Sequence, residues 1–290
     1  MSTESKIAAG SKINIGVVLP DEDASMPAST LVELAQQAEE LGYDRVYLPD
    51  HILPPGDFGA TFGGVYEPIV TLSHLAAVTS RIELGTSVLV LPLRNPFVLA
   101  KQVATVQQLS AGRVVLGVGT GWSAEEFAAV GADYRRRGRT TDDALALIRH
   151  LFAVGRGPYA ADGFGFDQGV FAPAPTPPVP ILVGGNSTRA LRRAATYADN
   201  WQGLPMPADD LARRIEELGE FAGERTVSPG IRIQWDDSRP VGTVAGEIAA
   251  YRAAGAEHIA VHFDDFRDYP SRMTALAAAL VVDGHISGPR

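Results

Sequence analysis

Apolar runs and amphipathic stretches take turns along this chain from residue 13 onward. Residues 13–19 form a continuous apolar run with β-branched members, the pattern of a strand buried on both faces. Residues 30–41 then set Leu31, Leu34, Ala35, Ala38 and Leu41 on one helical face, and Gly42 stops the helix. A second strand covers 45–48. The alternation continues with a helix over 68–78, a strand over 82–90, a helix over 96–109 opened by Pro96, and a strand over 114–118. A short helix over 123–130 and a longer one over 140–152 follow. Strands at 180–183, 200–203, 231–234 and 258–261 each lead into a helix, at 188–197, 208–221, 243–253 and 271–281.

Strict strand–helix alternation predicts a parallel sheet covered on both faces. Eight such units in about 250 residues match closure into a single (β/α)8 TIM barrel, here spanning 12–290. Excursions are expected after the second, fourth and seventh strands or their helices. Residues 52–66, rich in Gly and Pro, are too long for an ordinary βα turn and read as a functional insertion or lid. Residues 155–178 read as a second excursion with one hairpin. Residues 1–11 form a polar leader, expected to be disordered.

The chain has 290 residues, 46% of them hydrophobic, enough for one large core. A net charge of −9 argues against nucleic acid or an anionic membrane as a partner. There is no cysteine, which excludes a disulfide framework and Cys-based metal sites, and no metal is expected. Without a membrane-length apolar run or a secretory signal, the protein is expected in the cytoplasm. Basic residues cluster once, at Arg135, Arg136, Arg137 and Arg139. That cluster is either a solvated loop or a lip that attracts an anionic ligand.

In a parallel barrel the C-terminal ends of the strands share one rim, where the chemistry sits. Asp50 and His51 end the second strand. His51 is the candidate for proton or charge management, and Asp50 either orients its ring or caps the turn. Thr86, Ser87 and Val88 lie on the third strand, as small hydroxyls of a buried strand or as part of a site. Gly119, Thr120 and Gly121 end the fourth, where glycines let a flat ligand approach backbone. Gly184, Gly185, Asn186 and Ser187 join the fifth strand to a helix, an arrangement suited to an anion. Trp122 and Trp201 are candidates for the substrate pocket, and His258 and His262 lie near the last strand. Glu125 and Glu126 suit the positive end of their helix.

These strings, in this order, resemble the luciferase-like monooxygenase superfamily, and within it the branch that uses the deazaflavin coenzyme F420. The resemblance covers about 13–201. It implies a non-proline cis peptide at Ser87–Val88, pressed against the cofactor's central ring and bending it into a butterfly shape. It places His51 at the reactive ring edge and the cofactor phosphate at Gly184 to Ser187. It also implies a homodimer. In the family's sugar-phosphate dehydrogenases a glutamate proton donor follows Gly-Thr-Gly, whereas here Trp122 stands at that position. Bacterial luciferases carry an arginine for the FMN phosphate at this turn, whereas no basic residue lies between Val114 and Arg135 here.

The leading expectation is therefore an F420-dependent oxidoreductase passing hydride between reduced deazaflavin and a small apolar or conjugated molecule. The alternatives are an FMN-dependent monooxygenase and a cofactor-binding relative without catalysis. A Schiff-base aldolase is disfavoured because no lysine ends a strand.

Overall fold

The computed structural model describes residues 13–20, 25–236 and 238–282. The polar leader at 1–11 lies outside them. Among the described residues, no helix is long and apolar enough to cross a membrane.

In chain order the elements are β1 (Asn14–Val18), α1 (Ala28–Leu41), β2 (Arg45–Leu48), α2 (Gly56–Phe62), α3 (Pro68–Val78), β3 (Glu83–Thr86) and β4 (Leu89–Val90). They continue with α4 (Pro96–Leu109), β5 (Val114–Gly119), α5 (Ala124–Ala129), α6 (Arg137–Ala153) and the hairpin strands β6 (Tyr159–Ala160) and β7 (Gly165–Phe166). The last third holds β8 (Ile181–Gly184), α7 (Thr188–Tyr197), β9 (Asn200–Gly203), α8 (Ala208–Ala222), β10 (Ser228–Gln234), α9 (Val241–Ala253), β11 (His258–His262) and α10 (Tyr269–Val282).

The strands close into an eight-stranded parallel barrel. β1 pairs with both β2 and β11, and the ladder runs on through β10, β9, β8 and β5 back to β3. β4 continues the third strand beyond a break and pairs with the end of β5. Three expectations change. The strand expected over 82–90 is interrupted at Ser87–Val88. The insertion at 52–66 contains a helix, α2. The seventh-strand excursion is only the short link 235–240, while 155–178 does hold an antiparallel hairpin, β6–β7.

The barrel has two apolar layers. Strand and helix side chains make the outer one, and Val18, Tyr47, Val115, Leu182 and Ala260 fill the interior, with Val88 packed on them. Alternate residues of a strand face opposite sides, so each strand feeds both layers. Interior glycines fit the one large ring there. A Cβ on Gly16 or Gly85 would lie 2.6 Å or 2.9 Å from the Tyr47 ring. Below, Arg45 donates to the Tyr47 hydroxyl at 2.8 Å and pairs with Glu83. Gly117 is tighter still, since a Cβ there would lie 1.9 Å from the Thr86 carbonyl oxygen.

Gly117→Ala is expected to cost about 3 kcal/mol, the upper end of ordinary overpacking, because the obstacle is backbone. The urea midpoint should fall with an unchanged slope, and an unchanged midpoint would show that β3 and β5 can separate freely.

His258 is buried at the start of β11, away from the rim. Burial, followed by the nearby Arg45 guanidinium, pushes its pKa down to about 3. In the unfolded chain it titrates near about 6.5. Between those values the unfolded state takes up a proton that the fold refuses, so stability falls as pH drops from 6.5 towards 3. His258→Leu should flatten that part of the acid limb, read as urea midpoints measured above and within this window. An identical acid slope in the variant would remove His258 from the account.

Candidate active site

β2 delivers Asp50 and His51 to the rim, and the two side chains part company there. Asp50 is buried; its Oδ2 accepts from the Val90 N–H at 2.8 Å and its Oδ1 from Arg94 Nη2 at 2.6 Å. Burial pushes its carboxyl up from the usual range, against the pull of Arg94 and Val90. Arg94 also pairs with Glu67. Asp50 therefore ties β2 to β4 and does not orient His51, because successive residues of an extended chain point to opposite sides.

Glu126 orients it instead. Glu126 is 2% exposed, and its Oε2 lies 3.2 Å from His51 Nδ1. Its Oε1 accepts from the N–H groups of Ile52, at 2.5 Å, and Leu53, at 3.0 Å. Ser123 caps α5 by accepting from the Glu126 N–H, which fixes the first turn and aims this carboxylate inward. One buried carboxylate thus holds the histidine and the first residues of the 52–66 insertion. First-turn position alone did not single it out, because its partner His51 lies 75 residues earlier in the chain. Phe62 of α2 stacks on the His51 ring at 4.9 Å, and Trp122 meets it edge-on at 5.7 Å.

On the third strand, Ser87–Val88 is a cis peptide, the feature that the resemblance implied. Val88 projects between two glycines. A Cβ on Gly119 or Gly184 would lie 2.7 Å or 2.8 Å from its methyl groups. Ser87 Oγ donates to Gln202 Oε1 at 2.5 Å, and Arg232 Nη1 donates to the Ser87 carbonyl at 2.8 Å. Gln202 Nε2 is buried without a hydrogen-bond partner. Thr86 does not reach the pocket. Its hydroxyl donates to the Gly117 carbonyl and accepts the Gly117 N–H, a bond across the barrel wall.

Pro49, Asp50, His51, Phe62, Ser87, Val88, Val90, Gly119, Thr120, Gly121, Trp122, Gly184, Gly185, Gln202, Leu204 and Arg232 line one pocket of about 400 Å³. Trp201, expected in its wall, is fully buried behind it and donates to the Gly185 carbonyl at 2.9 Å. Its place on β9 turns the indole into the outer layer, and neighbouring Gln202 faces the pocket. Asn186 is also spent on structure, holding both polar groups of Leu204.

Ser187 caps α7 and opens onto a second cavity of about 960 Å³, which shares Thr120 with the first pocket. Seven arginines line it: Arg135, Arg136, Arg137, Arg139, Arg189, Arg192 and Arg193. Arg193 pairs with Asp142, and Arg139 with Asp143 and Asp162. Arg135, Arg136, Arg137 and Arg189 have no carboxylate partner among the described residues. The basic cluster lines this cavity, and arginines absent from the Gly-Thr-Gly turn in sequence are beside it in space.

The family model described as luciferase-like monooxygenase matches residues 13–234. The chain belongs to the luciferase-like monooxygenase family. Within that family it is 34% identical over 209 residues to an uncharacterized protein of Mycobacterium bovis, covering 67% of this chain and 72% of that one. It is 32% identical to an F420-dependent glucose-6-phosphate dehydrogenase of Kineococcus radiotolerans, over 71% of this chain and 64% of that enzyme. Among solved structures, an F420-dependent secondary alcohol dehydrogenase in complex with an F420-acetone adduct superposes with a TM-score of 0.80. It is 19% identical, and the match covers 93% of this chain and 99% of that one. Riboflavin lyase, with modified FMN, superposes at 0.77 with 14% identity, covering 96% and 93% of the two chains.

Removing the Glu126 carboxylate should release the insertion. In Glu126→Ala, amide exchange at Ile52 and Leu53 is expected to accelerate by about tenfold or more, the effect of losing a hydrogen bond to a charged group. Hydrogen–deuterium exchange reads this directly. Unchanged protection would mean that packing of α2, and not Glu126, holds the segment.

Proposed function

We propose that this luciferase-like family member is an F420-dependent oxidoreductase acting on a small apolar or conjugated substrate. The observation that carries the cofactor choice is the arginine-lined cavity opening from the first pocket at Thr120. Coenzyme F420 carries a chain of carboxylates beyond its phosphodiester, whereas FMN ends in one phosphate. Arginines 137, 189 and 192 sit in the first turns of α6 and α7 or close to them, where the helix dipoles disfavour cations. Such a local conflict marks a functional site and is relieved by a polyanion. The F420-dependent relatives support the same cofactor.

The residues of the first pocket fit a flat heterocycle. The glycines at 119, 121, 184 and 185 leave backbone exposed to a ring, and the unpartnered Gln202 Nε2 offers a buried donor to a ring carbonyl. Ser87 fixes that amide through its Oε1. Thr120 and Ser187 would hold the phosphodiester, with the arginines on the carboxylates beyond. When bound, the reduced deazaflavin supplies a hydride. Glu126 accepts from His51 Nδ1 and so leaves Nε2 as the exchangeable position, able to give a proton to a substrate oxygen or to take one. Phe58, Phe62 and Trp122, with ring centroids 4.5 Å apart for Phe58 and Trp122, make an aromatic wall suited to an apolar or conjugated molecule.

Fluorescence titration with both cofactors tests this reading. F420 should bind with micromolar or better affinity and FMN much more weakly. Raising salt should weaken F420 binding steeply, as expected for exposed charges. Arg189→Gln with Arg192→Gln should weaken F420 by about tenfold or more while leaving FMN within a small factor. Equal or tighter FMN binding would assign the chain to the FMN-dependent monooxygenases instead.

A further inference from the structure

A third cavity, of about 660 Å³, meets the first pocket on the side away from the arginine lip. Phe62 and Arg232 line both. The cofactor reading uses the first pocket and the arginine cavity, and it leaves this one unassigned. Its walls are partly apolar, from Phe62 and Phe266, and partly polar, from Gln234, His262, Asp264 and Asp265. Of its two carboxylates, Asp265 pairs with Arg267 and Asp264 accepts from the uncharged Gln234 amide.

Arg232 is different. It rises from the middle of β10, half-buried, and spends one N–H on the Ser87 carbonyl. It has no carboxylate partner among the described residues. A half-buried guanidinium without a counter-charge is costly unless a ligand supplies one. The donor suited to a cofactor carbonyl is already present in Gln202 Nε2, which lies on the first pocket alone. Arg232 also lines the third cavity, so its charge is open to a molecule entering from there. Opposite it, Phe62 presents an aromatic face, itself stacked on His51.

Resting on the oxidoreductase reading, we propose that the third cavity admits the substrate and that Arg232 anchors it. The class selected is a flat conjugated molecule bearing a carboxylate or another oxyanion. Arg232 holds the oxyanion through the planar fork that suits such groups. Phe62 covers the conjugated body.

The test uses trans-cinnamate and cinnamyl alcohol, which share a skeleton and differ in charge. Each is titrated calorimetrically into the full-length, cofactor-free protein. Cinnamate is expected to bind at least about tenfold more tightly than the alcohol. Arg232→Gln should erase that preference, Arg232→Lys should keep part of it, and Arg189→Gln, on the far cavity, should leave it intact. Thermal melts of each variant confirm folding, and Arg232→Lys carries the test if the glutamine variant fails to fold. Equal binding of the two probes overturns the proposal, as does a preference that survives in Arg232→Gln or cinnamate binding too weak to detect at ~10 mM. F420 titration of Arg232→Gln separates the two readings. Affinity within about threefold of wild type is expected, whereas loss of F420 binding with the cinnamate preference intact assigns Arg232 to the cofactor. An Arg232-dependent preference in a protein that never binds F420 would overturn the cofactor assignment alone.

Discussion

The space around Val88 governs the arrangement of the whole rim. The third strand breaks at Ser87–Val88 and drives a branched side chain into the barrel mouth, where Gly119 and Gly184 give it room. The Thr86 carbonyl lies against Gly117, so the fourth strand must carry glycine there as well. The Ser87 carbonyl and hydroxyl turn towards β10 and β9, where Arg232 and Gln202 meet them. Close packing tolerates no second occupant at these points. The glycines of the Gly-Val-Gly-Thr-Gly run thus serve the protein's own packing before they serve any ligand, and the pocket is what remains above Val88.

Charge is distributed with equal consequence. A chain with a net charge of −9 concentrates seven arginines around one cavity. Two helices that leave neighbouring strands, α6 and α7, bring them together at their N-terminal ends. At the mouth, by contrast, charges are used sparingly, and Asp50, Arg94 and Glu126 are each committed. Asp50 and Arg94 lock the end of β2 to β4, and Glu126 holds His51 with the first amides of the insertion. The result is a polarised rim: a cationic lip on one side, an aromatic wall over the middle, and on the other side Arg232, which has no carboxylate partner among the described residues.

The fold was legible because its signals are local. Alternating apolar runs and amphipathic stretches specify β/α units, and eight of them specify closure. Pro96 does open α4, and there Asn95 accepts from the Phe97 N–H. The break in the third strand was legible only through the resemblance, since Thr86, Ser87 and Val88 are unremarkable as strand residues. Helix α2 was missed because it is only seven residues long, holds two glycines and directly follows Pro54 and Pro55.

The sequence by itself determined the barrel, the rim positions of His51, Ser87, Gly119 to Trp122 and Gly184, and membership of the luciferase-like family. Only the tertiary structure decided which side chains meet there. It gave His51 to Glu126 rather than to its neighbour Asp50, retired Thr86, Asn186 and Trp201 to structural duty, and gathered Arg135 to Arg139 with Arg189 to Arg193 beside Thr120. The reason is physical. Periodicity along a chain fixes which face a residue presents to its own element, whereas partners across a closed barrel are set by strand register and by the volume that glycines leave free.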